Sequence, residues 1–452
     1  MTKTLIRDAS IVTMDEAIGD LATGSILIED DRILEVGARI DVADDVEVID
    51  GTDRIAMPGF VNAHIHTWQT GLRGVAADWT ISQYLRAMHA GLAGYFRPDD
   101  IQIANCFGAL NQISSGTTTL VDWCHNNPTP DHTDAAIDGL LASGIRAVFL
   151  HGSPKPDPKA GQKHFSEVPM PVSEVKRLRN GRLSSDEAAV TMGLAVLGPQ
   201  LSVWEVCEAD FRLAREMGLV VSMHVSGKLL TPDGFERLAG LGLLGPDINI
   251  VHGNVLDDER LGFLVDQGVS FTLTPEVELQ MGFGDPLTTR LRSLGGRISL
   301  GSDIESSMAG DMFAVTRVAL QAARHCDNLA ALAETGTCPD SIAVPSREAL
   351  RWATIDGARM LGLENRIGSL TPGKKADIVL LDCGMLNMFP VIEPVASILF
   401  HAGVANVDTV LIDGKIRKRD GRLTDEPGRS QRDALKQSGI RIWQSFSQAS
   451  SH

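Results

Sequence analysis

Met57-Pro-Gly-Phe-Val-Asn-Ala-His-Ile-His66 starts at a Pro-Gly break and runs through an apolar stretch into two histidines one residue apart. Side chains two positions apart on a strand project to the same side. Both imidazoles therefore leave one face, at the C-terminal end of the strand. In a barrel of parallel strands that end is where chemistry is done.

Working outward, the same texture recurs. Apolar segments lie at Gly59 to His64, Thr117 to Trp123, Arg146 to His151, Val190 to Leu197, Leu219 to His224, Asn249 to His252, Val269 to Leu273 and Arg297 to Gly301. Between them lie segments of helical character, such as Pro98 to Ser114, Asp134 to Ser143, Trp204 to Met217 and Asp257 to Gln267. Strands buried on both faces and alternating with helices predict a (β/α)8 TIM barrel over residues 57–365. Pro154 to Ser185 is polar and rich in lysine and proline, and reads as a long loop near the site face.

The ends differ from the centre. Thr4 to Ile6, Ser10 to Met14, Ser25 to Glu29, Arg32 to Val36 and Val46 to Ile49 alternate like short strands, and Ala376 to Asp382 and Val407 to Lys415 repeat the pattern. They predict a small composite β-sandwich domain built from residues 1–56 and 366–423, followed by a polar tail over 424–452 that ends as an exposed helix.

The formal net charge of −17 sets the surface against nucleic-acid phosphates and anionic membranes. No apolar run approaches the roughly 20 residues of a membrane span. The start, MTKTLIRDASIVTMDE, has no charged segment leading into an apolar one, so no secretory signal is expected. Six scattered cysteines without CxxC pairs read as reduced thiols in a cytoplasmic protein.

Beyond His64 and His66, His224 ends the fifth apolar segment, His252 the sixth and Asp303 the eighth. A single strand-end histidine is usually structural. Five metal-type side chains at the ends of four strands, all on one face, argue for a metal site held by His64, His66, His224 and Asp303. Such ligands suit Zn2+, the preferred ion, and also Fe2+ or Mn2+.

Met57 to His66, Leu72-Arg-Gly74, Gly301-Ser-Asp303, Ser369-Leu-Thr-Pro-Gly-Lys-Lys-Ala-Asp377 and Val410-Leu-Ile-Asp-Gly-Lys415 together resemble the amidohydrolase superfamily. Within it they resemble the chlorohydrolase and aminohydrolase branch, with its S-adenosylhomocysteine, guanine and cytosine deaminases and triazine hydrolases. The resemblance runs to about Leu423. It implies the barrel, the composite β domain and hydrolysis of a C–N bond in a small N-heterocycle, with deamination as the first reading. Binuclear members carry a carboxylated lysine on the fourth strand. Ala189 to Leu197 has no lysine, so one metal ion is expected.

Such an ion lowers the pKa of a bound water from near 16 to roughly 7. Asp303 is expected to take that water's proton and pass it to the leaving group, and His252 to hydrogen-bond the oxyanion or help hold the metal. The sequence departs from the branch after His224. Deaminases of the branch read His-x-x-Glu, whereas this chain reads His224-Val-Ser-Gly227. Glu278, where relatives tend to place an asparagine, and Glu276 are the candidates to replace the missing carboxylate. The alternatives are hydrolysis of an amide, lactam or other activated C–N or C–Cl bond without ring protonation, or a non-catalytic scaffold. A decarboxylase or isomerase on the same barrel is a further one.

Trp68, Gln69, Trp79, His125, Gln200 and Glu276 are expected to line the substrate pocket, with Trp123, Cys124 and His151 also at strand ends. His89, His132, His325 and His401 read as structural. The expected partner is a small heterocycle, with neither nucleic acid nor membrane, in a homo-oligomer.

Overall fold

Each apolar segment of the centre forms a strand. In the computed structural model, which describes residues 2–43 and 45–449, these are β1 (Phe60–Ile65), β2 (Thr117–Cys124), β3 (Arg146–Gly152), β4 (Val190–Val196), β5 (Val221–Val225), β6 (Ile248–His252), β7 (Ser270–Leu273) and β8 (Arg297–Leu300). They pair in parallel in chain order. Every residue of β1, β2 and β3 is buried, which is why these strands read as continuous apolar runs rather than alternating ones.

The ring closes between β8 and β1 through one parallel bridge from Ile65 to Asp303. The His66 amide donates to the Asp303 carbonyl at 2.7 Å and the Asp303 amide to the His64 carbonyl at 2.9 Å. The backbone that shuts the barrel therefore belongs to the residues that carry the site. Gly301 makes this approach possible, because a Cβ there would lie 2.7 Å from the His64 carbonyl oxygen.

Helices Pro98–Ser114, Pro130–Ser143, Trp204–Met217 and Asp258–Asp266 lie where the sequence places them. The last begins at an Asp257 side chain that accepts from the Arg260 amide at 2.8 Å, satisfying a first-turn donor. The segment after β3 is not loop throughout: Phe165–Glu167 forms a 3-10 turn and Val172–Arg179 an α-helix.

The two ends of the chain form one nine-stranded sheet. Lys3–Ile11 pairs antiparallel with Leu21–Glu29 and parallel with Glu47–Asp50 and Arg54–Pro58. Arg54–Pro58 in turn pairs with Ile378–Asp382, which leads to Val407–Ile412 and Lys415–Arg419. The segments read separately as Thr4 to Ile6 and Ser10 to Met14 largely merge into one strand. It is bent at Asp8, whose φ of 60° accompanies a shift of register. Arg146 of β3 is buried and pairs with Asp377 at 2.9 Å and with Asp413, tying barrel to sheet.

The final helix, Arg429–Ala449, packs against the segment that follows β1. Gly439 sits so close that a Cβ would lie 2.2 Å from the Gly71 carbonyl oxygen. Arg441 donates to the Tyr95 carbonyl at 3.1 Å and pairs with Asp100.

Candidate metal centre and substrate cavity

His64, His66, His224 and Asp303 each present one donor atom, and these atoms all lie within 4.8 Å of one another. Asp303 Oδ1 is 3.3 Å from His64 Nε2 and 3.4 Å from His66 Nε2, and His224 Nε2 is 3.2 Å from His64 Nε2. Donors placed tetrahedrally about 2.0–2.1 Å from one ion are separated by roughly 3.3–3.4 Å. The three imidazoles and the carboxylate therefore fit a single divalent ion.

The protonation states fit as well. Burial lowers the His64 and His224 imidazoles below their ordinary value and takes His66 to about 3, leaving the neutral rings that metals bind. His66 Nδ1 donates to the Trp123 carbonyl at 2.6 Å, which leaves its Nε2 lone pair facing the cluster. Burial opposes ionisation of Asp303, but the hydrogen bond with His64 and the neighbouring imidazoles hold its carboxyl below the ordinary range.

His252 stands beside this cluster, its Nε2 4.0 Å from Asp303 Oδ2. Both His252 (φ 69°) and Asp303 (φ 62°) adopt the left-handed backbone region, which side chains other than glycine's rarely occupy. Such strain gathers at sites whose geometry the surroundings impose. Behind His252, Glu278 Oε1 accepts from Nδ1 at 3.2 Å and from the Thr274 amide at 2.8 Å.

A cavity of about 520 Å³ opens onto His66, His224, His252 and Asp303. Apolar walls come from Ile81, Leu85, Phe165, Met281, Phe283 and Ile304. Of the residues expected in the pocket, Gln200 borders it. Trp68, Gln69 and His125 lie one layer behind: Gln69 Nε2 donates to the Tyr84 hydroxyl at 2.6 Å, and His125 Nε2 meets His89 Nε2 at 3.1 Å. Trp79 packs partly buried against the core, His151 is buried in β3, and none of these borders the cavity.

Neither Glu276 nor Glu278 reaches the cavity. Glu278 is turned toward His252. Glu276 is pushed up to about 7 by burial, and then by Asp311, with Oε2 unpartnered. The space vacated at position 227 is taken by Gln200, whose Oε1 accepts from the Ser226 amide at 2.6 Å.

Among the cavity residues that sequence reasoning missed are two with ring or amine nitrogens, His89 and Lys155. His89, read as structural, ends a π-helical turn, Leu85–His89, and faces the cavity. Lys155, in the segment read as a polar loop, is 8 % exposed and places Nζ 5.1 Å from the centre of the Trp123 ring. Burial pulls its ammonium down to about 7. A π-turn that ends a short helix, as this one follows Ile81–Tyr84, is a local signal that often marks function. Lys155 carries no such mark.

The amidohydrolase family profile matches residues 55–417. A 5'-deoxyadenosine deaminase from Methanosarcina mazei is 28% identical over 439 residues, covering 94% of each chain. A 5-methylthioadenosine/S-adenosylhomocysteine deaminase from Pelotomaculum thermopropionicum is 30% identical over 431 residues, covering 92% of this chain and 93% of that one. Among solved structures, an adenosine deaminase from Xanthomonas campestris with bound zinc superposes with a TM-score of 0.82 at 23% identity, over 98% of this chain and 99% of that one.

Proposed function

The chain belongs to the amidohydrolase family, and on that premise we propose that it is a mononuclear zinc deaminase of a small N-heterocycle. It is a metal-dependent hydrolase of C–N bonds other than peptide bonds. The observation that carries the reading is the convergence of His64, His66, His224 and Asp303 on one buried point beside the cavity.

An ion held by these four residues would supply a nucleophilic water at neutral pH. Asp303 presents Oδ1 to the imidazole cluster and Oδ2 toward His252. It accepts the proton released as water oxygen attacks the ring carbon, and returns it to the exocyclic nitrogen, which departs as ammonia. His252 Nε2 faces the same place; in its doubly protonated form the ring donates from Nδ1 to Glu278 and from Nε2 to the oxygen as charge develops on it. Glu278 is a positioning residue: it fixes the His252 ring through Nδ1.

Deamination is favoured over amide or halide hydrolysis because relatives spanning more than nine-tenths of the chain are deaminases. The complete donor set speaks against a non-catalytic scaffold. Among the described residues no helix is long and apolar enough to cross a membrane. The six cysteines are unpaired, which supports a reducing, cytoplasmic setting. A homo-oligomer remains the expectation for the assembly.

The test is a screen of aminated purines, pyrimidines, triazines and adenosine derivatives for ammonia release, with elemental analysis of the purified protein. Stoichiometric zinc and turnover lost on chelation are expected. Turnover that survives removal of all metal would refute the reading.

A further inference from the structure

The cavity wall at His89 is backed by a chain of three rings whose proton positions the geometry dictates. Trp68 Nε1, which can only donate, meets His125 Nδ1 at 3.3 Å. His125 Nδ1 is therefore the bare nitrogen of that ring, and its proton is on Nε2. That Nε2 lies 3.1 Å from His89 Nε2, which must accept. The His89 proton is then on Nδ1. Among the described residues His89 Nδ1 has no hydrogen-bond partner, and His89 borders the cavity.

Lys155 adds a second donor to this side. Its Nζ has no hydrogen-bond or ion-pair partner among the described residues, and it too borders the cavity. It is near enough for its charge to act on His89, His125 and His224. Gln200 spends its oxygen on the Ser226 amide, so it offers its amide N–H groups. The Tyr84 hydroxyl accepts from Gln69 and is left to donate. Of the carboxylates that border the cavity, Asp303 belongs to the metal cluster and Asp157 is exposed.

We propose that His89 Nδ1–H and the Lys155 ammonium form a donor edge that selects heterocycles bearing an exocyclic oxygen away from the scissile amine, over the same ring without that oxygen. This rests on the deaminase reading for the identity of the scissile group. The donor edge itself does not depend on turnover. A buried donor left unpaired by the wrong ligand is the source of discrimination.

The test uses equilibrium binding to the metal-loaded protein, by calorimetry, of ring pairs that differ by one oxygen: uracil against pyrimidin-4-one, and xanthine against hypoxanthine. The oxygen-richer member of at least one pair binds about thirtyfold tighter or more. His89→Leu brings that ratio below about threefold, and His89→Gln, which keeps an N–H, preserves most of it. Nitrogen-15 spectra of the unmodified protein provide a measurement that needs no variant to fold. They are expected to place protons on His89 Nδ1 and His125 Nε2.

Equal affinities within both pairs, no binding of any of the four, a ratio untouched by His89→Leu, or a proton on His89 Nε2 overturns the proposal. Cytosine, 4-aminopyrimidine, guanine and adenine are assayed alongside for ammonia. Discrimination in binding while neither these four nor any of the triazines and adenosine derivatives screened above releases ammonia leaves the donor edge standing and removes the deaminase reading instead.

Discussion

Gln200 fills the space that a side chain at position 227 would need: its Nε2 lies 3.1 Å from where a Cβ on Gly227 would sit. The amide that borders position 227 is anchored to the Ser226 backbone. Restoring the carboxylate alone should therefore fail. Gly227→Glu crowds the Gln200 amide and costs about 1–3 kcal/mol, the usual scale of overpacking. Adding Gln200→Ala relieves the crowding, so the double variant is more stable than the two single changes predict. Denaturation midpoints for the full cycle measure this coupling. Simple additivity would mean that the two side chains do not compete.

Asp303→Asn preserves the shape of the side chain and the backbone bridge to Ile65. It removes both the anionic donor and the proton acceptor. Turnover should fall by roughly 10²- to 10⁴-fold, metal content should drop, and the circular-dichroism spectrum should be unchanged. An active Asp303→Asn enzyme would take Asp303 out of the chemistry.

Glu278→Gln leaves the metal ligands alone and weakens the grip on His252 Nδ1. We expect kcat to fall about tenfold or more, with KM and bound metal nearly constant. The substituted side chain keeps an oxygen for the Thr274 amide, so thermal stability should change little. Turnover equal to the parent's would mean that His252 needs no such support.

Glu276 leads to a pH prediction of definite sign. Its carboxyl is raised from 4.5 to about 7, first by burial and then by Asp311. The folded state thus holds a proton that the unfolded state gives up earlier. The stability this contributes is fully present below about pH 4.5 and is lost as pH rises through 7. Glu276→Gln removes that loss. It should stabilise the protein by on the order of 1–3 kcal/mol at pH 8 and by much less at pH 4.5. Turnover should be unaffected, because Glu276 does not border the cavity. A larger gain at low pH would contradict the assigned shift.

The barrel strands were legible because full burial on both faces writes itself as continuous apolar runs, as at residues 147–150 of β3 and 192–196 of β4. The convergence of His64, His66 and His224 was legible because strand ends fix where side chains point, and it needed little more than spacing. The cavity wall was not. Lys155 sits among prolines and lysines that read as a solvated loop, and only the tertiary fold lays it over Trp123. Trp68 and His125 looked like pocket residues from their nearness to strand ends. Chain position could not tell that they stand behind His89 rather than beside it. Glu278 was visible as an unusual carboxylate, but the direction it faces depends on how Pro275–Met281 coils back under β6.

The last helix has a consequence for how the cavity keeps its shape. Arg429–Ala449 clasps the stretch from Gly71 to Tyr95, through Gly439 and, two residues on, Arg441. That stretch begins just beyond His66 and carries Tyr84 and His89. The C-terminal end of the chain thus works as a girder for ligand discrimination far away in sequence. Whatever loosens it, or leans on its partly exposed Trp443, will register as altered selectivity before it registers as lost metal.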